Sequence, residues 1–276
     1  MVKLSEIYKI ANELAPKNLS DEYCAACNAY DNSGVLIDTG DDIRGVLFSL
    51  DFSFAAIQKA IGLGANLIIT HHPAMYGKIN HARIDADDLT ERKIVKCIRN
   101  GISVVSMHLN LDCAPHGIDE SLAVGVWESA MATNPQEGVF SRKLSLLHTV
   151  SDGGYGRAYN VQETTLSALT KQMKTTFETN RILVYGDSEK IINRVASFCG
   201  AGSDEAALAF AKREGAQAIV SSDFRHHILT SAVEMGMAVI VLTHYASENY
   251  GFKKYYEKIR QQIEIPCEYH TDENLL

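Results

Sequence analysis

No apolar run in this 276-residue chain approaches the roughly 18 residues needed to cross a bilayer, so no membrane-spanning helix is expected. The opening residues, Met1-Val2-Lys3-Leu4-Ser5-Glu6-Ile7-Tyr8-Lys9-Ile10, are amphipathic and lack the apolar stretch of a secretory signal. A cytoplasmic location is the expectation. An excess of positive charge is also missing: 26 Lys and Arg stand against 34 Asp and Glu, a formal net charge of −8. That balance disfavours non-specific binding to nucleic acid or an anionic membrane, and it suits a cleft that holds cations. A disulfide framework is absent as well. The six cysteines (24, 27, 97, 113, 199 and 267) are scattered, as in a reducing compartment. Cys24-Ala-Ala-Cys27 has the spacing of half a zinc site, but no second CxxC or HxxxH follows, and a pair of small buried thiols is expected. The chain also lacks a strict internal repeat, a full Gly-x-Gly-x-x-Gly and a Walker pattern.

What is present is an ordinary globular composition, 46% apolar and 22% charged, long enough for one large domain or two smaller ones with real cores. Apolar residues at i, i+3, i+4 spacing predict a helix over 3–15, stopped by Pro16 and followed by a loop. Strands are predicted at 45–50, 66–70 and 102–107, separated by helices over 53–63 and 88–99. Short, near-continuous apolar strands in a β-α-β-α-β order indicate a parallel sheet covered on both faces. Residues 145–151, 157–161 and 181–185 read as possible strands and 163–176 as a helix. The βα pattern resumes at 194–198, 217–221 and 237–242, with helices near 203, over 225–235, and from 244 to about 263. The expected fold is α/β: two similar lobes with mostly parallel sheets, 1–130 and 193–276, around a middle section at 131–192, all forming one compact unit.

In such sheets ligands gather beyond the carboxyl ends of the strands, and three polar clusters fall there. His71-His72 ends one strand, with Pro73 holding His72 extended, so two imidazoles could each reach a different metal. Asp112, in His108-Leu109-Asn110-Leu111-Asp112, supplies a hard oxygen donor on an extension of the next strand. His108 is a rival ligand, or with Asn110 a group that orients the ligands. His244 and Glu248 lie at i and i+4 where a strand passes into a helix, which puts them on one face. Taken singly, each cluster has a plainer reading as solvated histidines, a turn aspartate or a helix-start glutamate. Together, five nitrogen and oxygen donors (His71, His72, Asp112, His244, Glu248) suit two divalent ions of zinc, manganese, iron, nickel or cobalt, expected between the lobes.

Asp223, His226 and His227 form a second cluster at a strand-to-helix turn and are candidates for general acid or base, or for helix capping. Cys199-Gly200-Ala201-Gly202 is a weak match to an anion-binding turn. Asp31-Asn32-Ser33-Gly34 reads as local turn chemistry, and Tyr245, Tyr250, Tyr255 and Tyr256 as packing or oligomer contacts.

These residues resemble the Nif-three-like family, whose members are often named GTP cyclohydrolase 1 type 2 homologues. Asp31-Asn32-Ser33-Gly34 is similar to its D-N-x-G, and 64–73 to G-A-x-L-I-I-T-H-H-P. His108–Asp112 with 117–123 resembles H-T-N-L-D and the glycine-led stretch after it. Residues 222–227 resemble T-G-[DE]-x-x-[HY]-H, and His244-Tyr245-Ala246-Ser247-Glu248 is similar to H-[YF]-x-[ST]-E. Leu109, Ser222 and Thr243 depart from the pattern, and Val35-Leu36-Ile37-Asp38 replaces L-Q-V-G; no expected metal ligand changes. The resemblance implies a three-layer α/β fold, a dinuclear site from the five residues named above, and a toroidal homohexamer built from dimers. It also implies hydrolysis of a nucleotide or other phosphorylated small molecule, with ring opening of GTP as the named version. A non-catalytic metal-binding or regulatory protein is the alternative.

Overall fold

In the computed structural model, all residues are described except 1, 78, 80, 81, 86, 134–138 and 141–143. In chain order the elements begin with α1 (Leu4–Leu14), α2 (Lys17–Cys27), β1 (Gly34–Ile37), β2 (Val46–Ser49), α3 (Phe54–Leu63), β3 (Leu67–Thr70) and α4 (Leu89–Arg99). Then come β4 (Ser103–Ser106), α5 (Leu109–Cys113), α6 (Ile118–Thr133), β5 (Ser145–Val150), β6 (Gly153–Thr165), α7 (Leu166–Thr176) and β7 (Leu183–Tyr185). The chain closes with β8 (Ile191–Ser197), α8 (Glu205–Arg213), β9 (Ala218–Ser221), α9 (His226–Glu234), β10 (Ala238–Val241), α10 (His244–Arg260) and β11 (Cys267–His270). No helix among the described residues is long and apolar enough to cross a membrane.

Two compact units result, one of Met1–Ala114 with Phe252–Thr271, the other of Pro115–Gly251 with Asp272–Leu276. The first holds a five-stranded sheet of order β1-β4-β3-β2-β11, in which only the β1–β4 pairing is antiparallel. Every residue of β2, β3 and β4 is buried, as expected of strands covered on both faces. On one face Leu47, Ile68 and Val104 pack with Ile57 and Ala60 of α3 and Ile94 and Cys97 of α4. On the other, the Phe48 ring meets Phe252 and Tyr256 of α10 at 6.2 and 5.1 Å between centroids. Capping fixes the helix ends: Ser53 Oγ accepts from the Ala56 N–H, Asp88 accepts from Thr90 and Glu91, and Gly64 closes α3 at φ 69°.

The second unit holds a six-stranded sheet of order β5-β6-β8-β9-β10-β7. Its parallel core, β8-β9-β10, is the resumed βα pattern, and the antiparallel strands β5, β6 and β7 come from the segment that periodicity left undecided.

Two local expectations are corrected. Residues 17–27 form helix α2 rather than a loop: Pro16 ends α1 by forcing Ala15 out of helical geometry, yet its own fixed φ (−59°) starts the next helix. Asp112 lies in the short helix α5, not on an extended strand continuation. Tyr255 and Tyr256 prove to be packing residues, donating their hydroxyls to the carbonyls of Ala11 and Cys267.

Candidate metal centre

In the first unit the polar clusters converge because four strands present the same edge. The parallel strands β2, β3 and β4 end in Asp51, His71-His72 and His108. Strand β1 runs antiparallel to β4 with Gly34 opposite Ser106, so Asp31, just before it, arrives at that edge too. The chain turns sharply at His71-His72, where both N–H groups donate to the Leu50 carbonyl. Thr70 Oγ1 then donates to the His72 carbonyl at 2.8 Å, and the Ala74 N–H donates to Ser106 Oγ at 3.1 Å. The His71 ring lies 4.9 Å from that of His72 and 5.2 Å from that of His108.

Each ring is oriented by an acceptor. His71 Nδ1 lies 2.8 Å from the Met107 carbonyl, His72 Nδ1 2.7 Å from Asp51 Oδ1, and His108 Nδ1 2.7 Å from Asp31 Oδ1. Carbonyls and ionised carboxylates only accept, so each Nδ1 carries the proton and each Nε2 presents a lone pair when the ring is neutral. Asp31 is itself held hard. Burial pushes its carboxyl up, but hydrogen bonds from His108, Ser20 and Ser33 outweigh that and keep it well below the usual carboxylate range.

Asp112 Oδ1 stands 3.5 Å from His71 Nε2, with both side chains almost wholly buried. His71, His108 and Asp112 each offer one donor atom, and these atoms lie within 4.8 Å of one another. Two electron-pair donors facing one another in a buried site need a cation between them, either a proton or a metal ion. Imidazole nitrogen with carboxylate oxygen suits a divalent ion, so the residues fit the expected group.

The second unit repeats the arrangement. His244 opens α10, and its Nδ1 lies 2.6 Å from Asp223 Oδ2, which leaves Nε2 3.1 Å from Glu248 Oε1 one turn on. Glu248 is buried, and His244 is about one-third exposed. Asp223 thus orients His244. His227 faces away, pairing with Glu205 at 3.1 Å beside Arg225, and His226 is exposed at the start of α9.

The Cys199–Gly202 turn serves this pair by its lack of side chains, not as a phosphate cradle. Gly200 adopts φ 55°, and a Cβ there would collide with Glu248 Oε1 and crowd His244 Nε2. A Cβ on Gly202 would strike the Tyr155 hydroxyl. The turn is pinned by Asp119, whose Oδ1 accepts the Cys199 N–H at 3.1 Å. Its Oδ2 accepts the Gly156 N–H at 2.9 Å and pairs with buried Arg157. Cys199 and Glu248 also have donor atoms within 4.8 Å of one another, a thiol that the five-donor expectation left out.

Sequence reasoning missed Asp51 and Asp119. Asp51 is visible as an acid directly after a buried strand, and Asp119 as an acid among the apolar residues of α6. Cys24 and Cys27 sit half-buried on α2, and they belong to no metal-donor group found among the described residues. Asn110 does not orient a ligand ring: its amide donates to the Ala15 carbonyl and ties α5 to the end of α1.

Comparison with known proteins places the fold and the family. The sequence matches the DUF34/NIF3 (NGG1p interacting factor 3) family over residues 2–273. A protein of Clostridium perfringens called GTP cyclohydrolase 1 type 2 homolog is 28% identical over 270 residues, covering 97% of this chain and 95% of its own. A Methanocaldococcus jannaschii protein of the same name is 26% identical, covering 96% and 97%. Among solved structures, a Staphylococcus aureus hypothetical protein superposes with a TM-score of 0.79 at 22% identity, covering 98% and 97%. Reduced HcgD of Methanocaldococcus jannaschii gives 0.75 at 24% identity, covering 97% of each chain. With the family model matched over residues 2–273 and solved structures of the same α/β fold superposing along nearly the whole chain, this chain belongs to the DUF34/NIF3 family.

Proposed function

We propose that this chain is a divalent-metal-dependent hydrolase acting on a nucleotide or other phosphorylated small molecule, with GTP ring opening as the version its relatives' name suggests. The observation that carries the reading is the common orientation of four histidines. His71, His72, His108 and His244 each give Nδ1–H to an oxygen acceptor, the arrangement that fixes a metal-ligating ring. In this reading His71, His72 and Asp112, together with His244 and Glu248, hold two divalent ions of zinc, manganese, iron, nickel or cobalt. Such ions supply Lewis-acid polarisation of the scissile group and lower the pKa of attacking water. The carboxylates of Asp31, Asp51 and Asp223 keep the rings in one tautomer and take up positive charge as they ligate. The test is metal-loaded protein incubated with GTP and with a panel of phosphoesters and cyclic amides. Formate and pterin absorbance from GTP support the named version, turnover of another substrate supports the broader one, and no turnover at all contradicts both.

A second reading, a non-catalytic metal-binding or regulatory protein, is favoured by one observation. The cluster expected to supply a general acid or base is otherwise engaged, with Asp223 on His244 and His227 on Glu205. If Glu248→Gln abolishes metal binding yet leaves the cellular phenotype unchanged, this reading replaces the first. We also propose, from family resemblance, a cytoplasmic location and a homohexamer assembled from dimers; light scattering on the purified chain tests the hexamer, and cell fractionation the location.

A further inference from the structure

We infer that a groove between α3 and α4 is a second ligand site, built to take a compact polyanion of the oligophosphate class. It does not rest on the hydrolase reading, and its lining includes none of the metal-donor residues. The cavity measures about 490 Å³ and is lined by Phe54 of α3, by Arg92, Lys96, Arg99 and Asn100 of α4 and its cap, and by Ile84. That size accommodates a small ligand.

Its charge is the unusual feature. In a chain of net charge −8, three cationic side chains share one groove, and among the described residues no carboxylate lies within 4.0 Å of Arg92, Lys96 or Arg99. Position on the helix explains only part of this. Lys96 and Arg99 fall in the last turn of α4, where cations answer the helix dipole, but Arg92 lies about two turns from the C-terminus, beyond its reach. At the helix start, the Asp88 carboxylate is committed to the Thr90 and Glu91 N–H groups.

The cations are also held in place. Arg92 Cζ and Lys96 Nζ lie 5.7 and 5.8 Å from the centroid of the Phe54 ring, whose π face attracts both. Lys96 Nζ donates to Gln58 Oε1 at 3.1 Å, which steadies it further. What the groove offers is fixed positive charge and guanidinium forks, the chemistry that recognises phosphate oxygens.

The test is binding of inorganic tripolyphosphate to the full chain by calorimetry, with the His71→Ala/His72→Ala variant under chelator removing any route through a metal. We expect one saturable site per chain, retained in that variant, and weakened at least tenfold in Arg92→Ala/Arg99→Ala. The Arg92→Lys/Arg99→Lys variant should recover part of that loss. GTP binding as tightly as tripolyphosphate, with no binding of guanosine, would show that the phosphate tail is the recognised part. Unchanged affinity in the alanine variant, loss of binding in the histidine variant, or equal binding of guanosine would each overturn the inference. So would binding confined to duplex DNA.

Discussion

Asp223 Oδ2 accepts a hydrogen bond from His244 Nδ1–H at 2.6 Å, and the opposite nitrogen of the same ring stands 3.1 Å from Glu248 Oε1. One carboxylate sets the tautomer, the other shares the lone pair's target, and the i, i+4 step of α10 fixes their separation. The same logic holds for Asp51 with His72 and Asp31 with His108 in the first unit.

Removing an orienting carboxylate should therefore weaken metal binding without removing a donor. Asp51→Asn and Asp223→Asn are each expected to lower metal affinity about 10- to 100-fold. Chelator competition followed by a fluorescent zinc indicator measures this. Affinity equal to wild type in both variants would show that the ring orientation is incidental.

Gly200→Ala should disturb the second unit's pair from a distance of one backbone atom. The residue would have to hold φ 55°, a left-handed conformation costing about 1–2 kcal/mol, and its methyl would displace Glu248. Reduced metal content with a largely intact circular dichroism spectrum is the expected outcome.

Asp119 and Arg157 form a buried ion pair, and breaking one side leaves an uncompensated charge. Asp119→Ala is expected to destabilise the second unit by about 3–5 kcal/mol. The double replacement Asp119→Leu/Arg157→Met should recover only part of that, because it removes both charges together but still leaves the Cys199 and Gly156 N–H groups without their acceptor. Urea unfolding of the three proteins checks the sign.

Cys97 gives a pH signature in the first unit. Burial on the core-facing side of α4 pushes its thiol up to about 12 from 9.0. The unfolded chain therefore loses this proton first, so stability is fully present below pH 9 and falls as pH rises toward 12, by up to about 1.4 kcal/mol per pH unit. Cys97→Ala creates a small cavity at neutral pH but lacks this slope. Its deficit relative to wild type should shrink steadily above pH 9, and a constant deficit would contradict the assignment.

Much of the fold was legible because its signals are local. Runs such as Leu67–Thr70 and Ala238–Val241 are short, apolar and β-branched, and caps such as Ser53, Asp88 and Gly64 mark helix ends within a residue. The antiparallel strands were harder, since β5 and β7 are partly or wholly exposed and show no clean period. Strand β11 escaped notice because Cys267–His270 has little β character of its own and is held by pairing with β2. Of the site, the donors could be read from residue type at strand ends. Asp51 and Asp119 could not, because an acid's role as acceptor for a ring or a buried N–H depends on tertiary neighbours 21 and 80 positions away. His227 misled for the same reason: its neighbour in space, Glu205, lies on another helix.

The proposal most open to test is that the His71, His72, Asp112 set and the His244, Glu248 pair serve the same two cations. Elemental analysis of wild type, His71→Ala/His72→Ala and His244→Ala/Glu248→Gln, each loaded with metal and desalted, tests it most directly. Shared ions predict two per chain in the wild type and close to none in either variant. One ion retained in each variant would show two independent sites, and two retained in either would contradict the account outright.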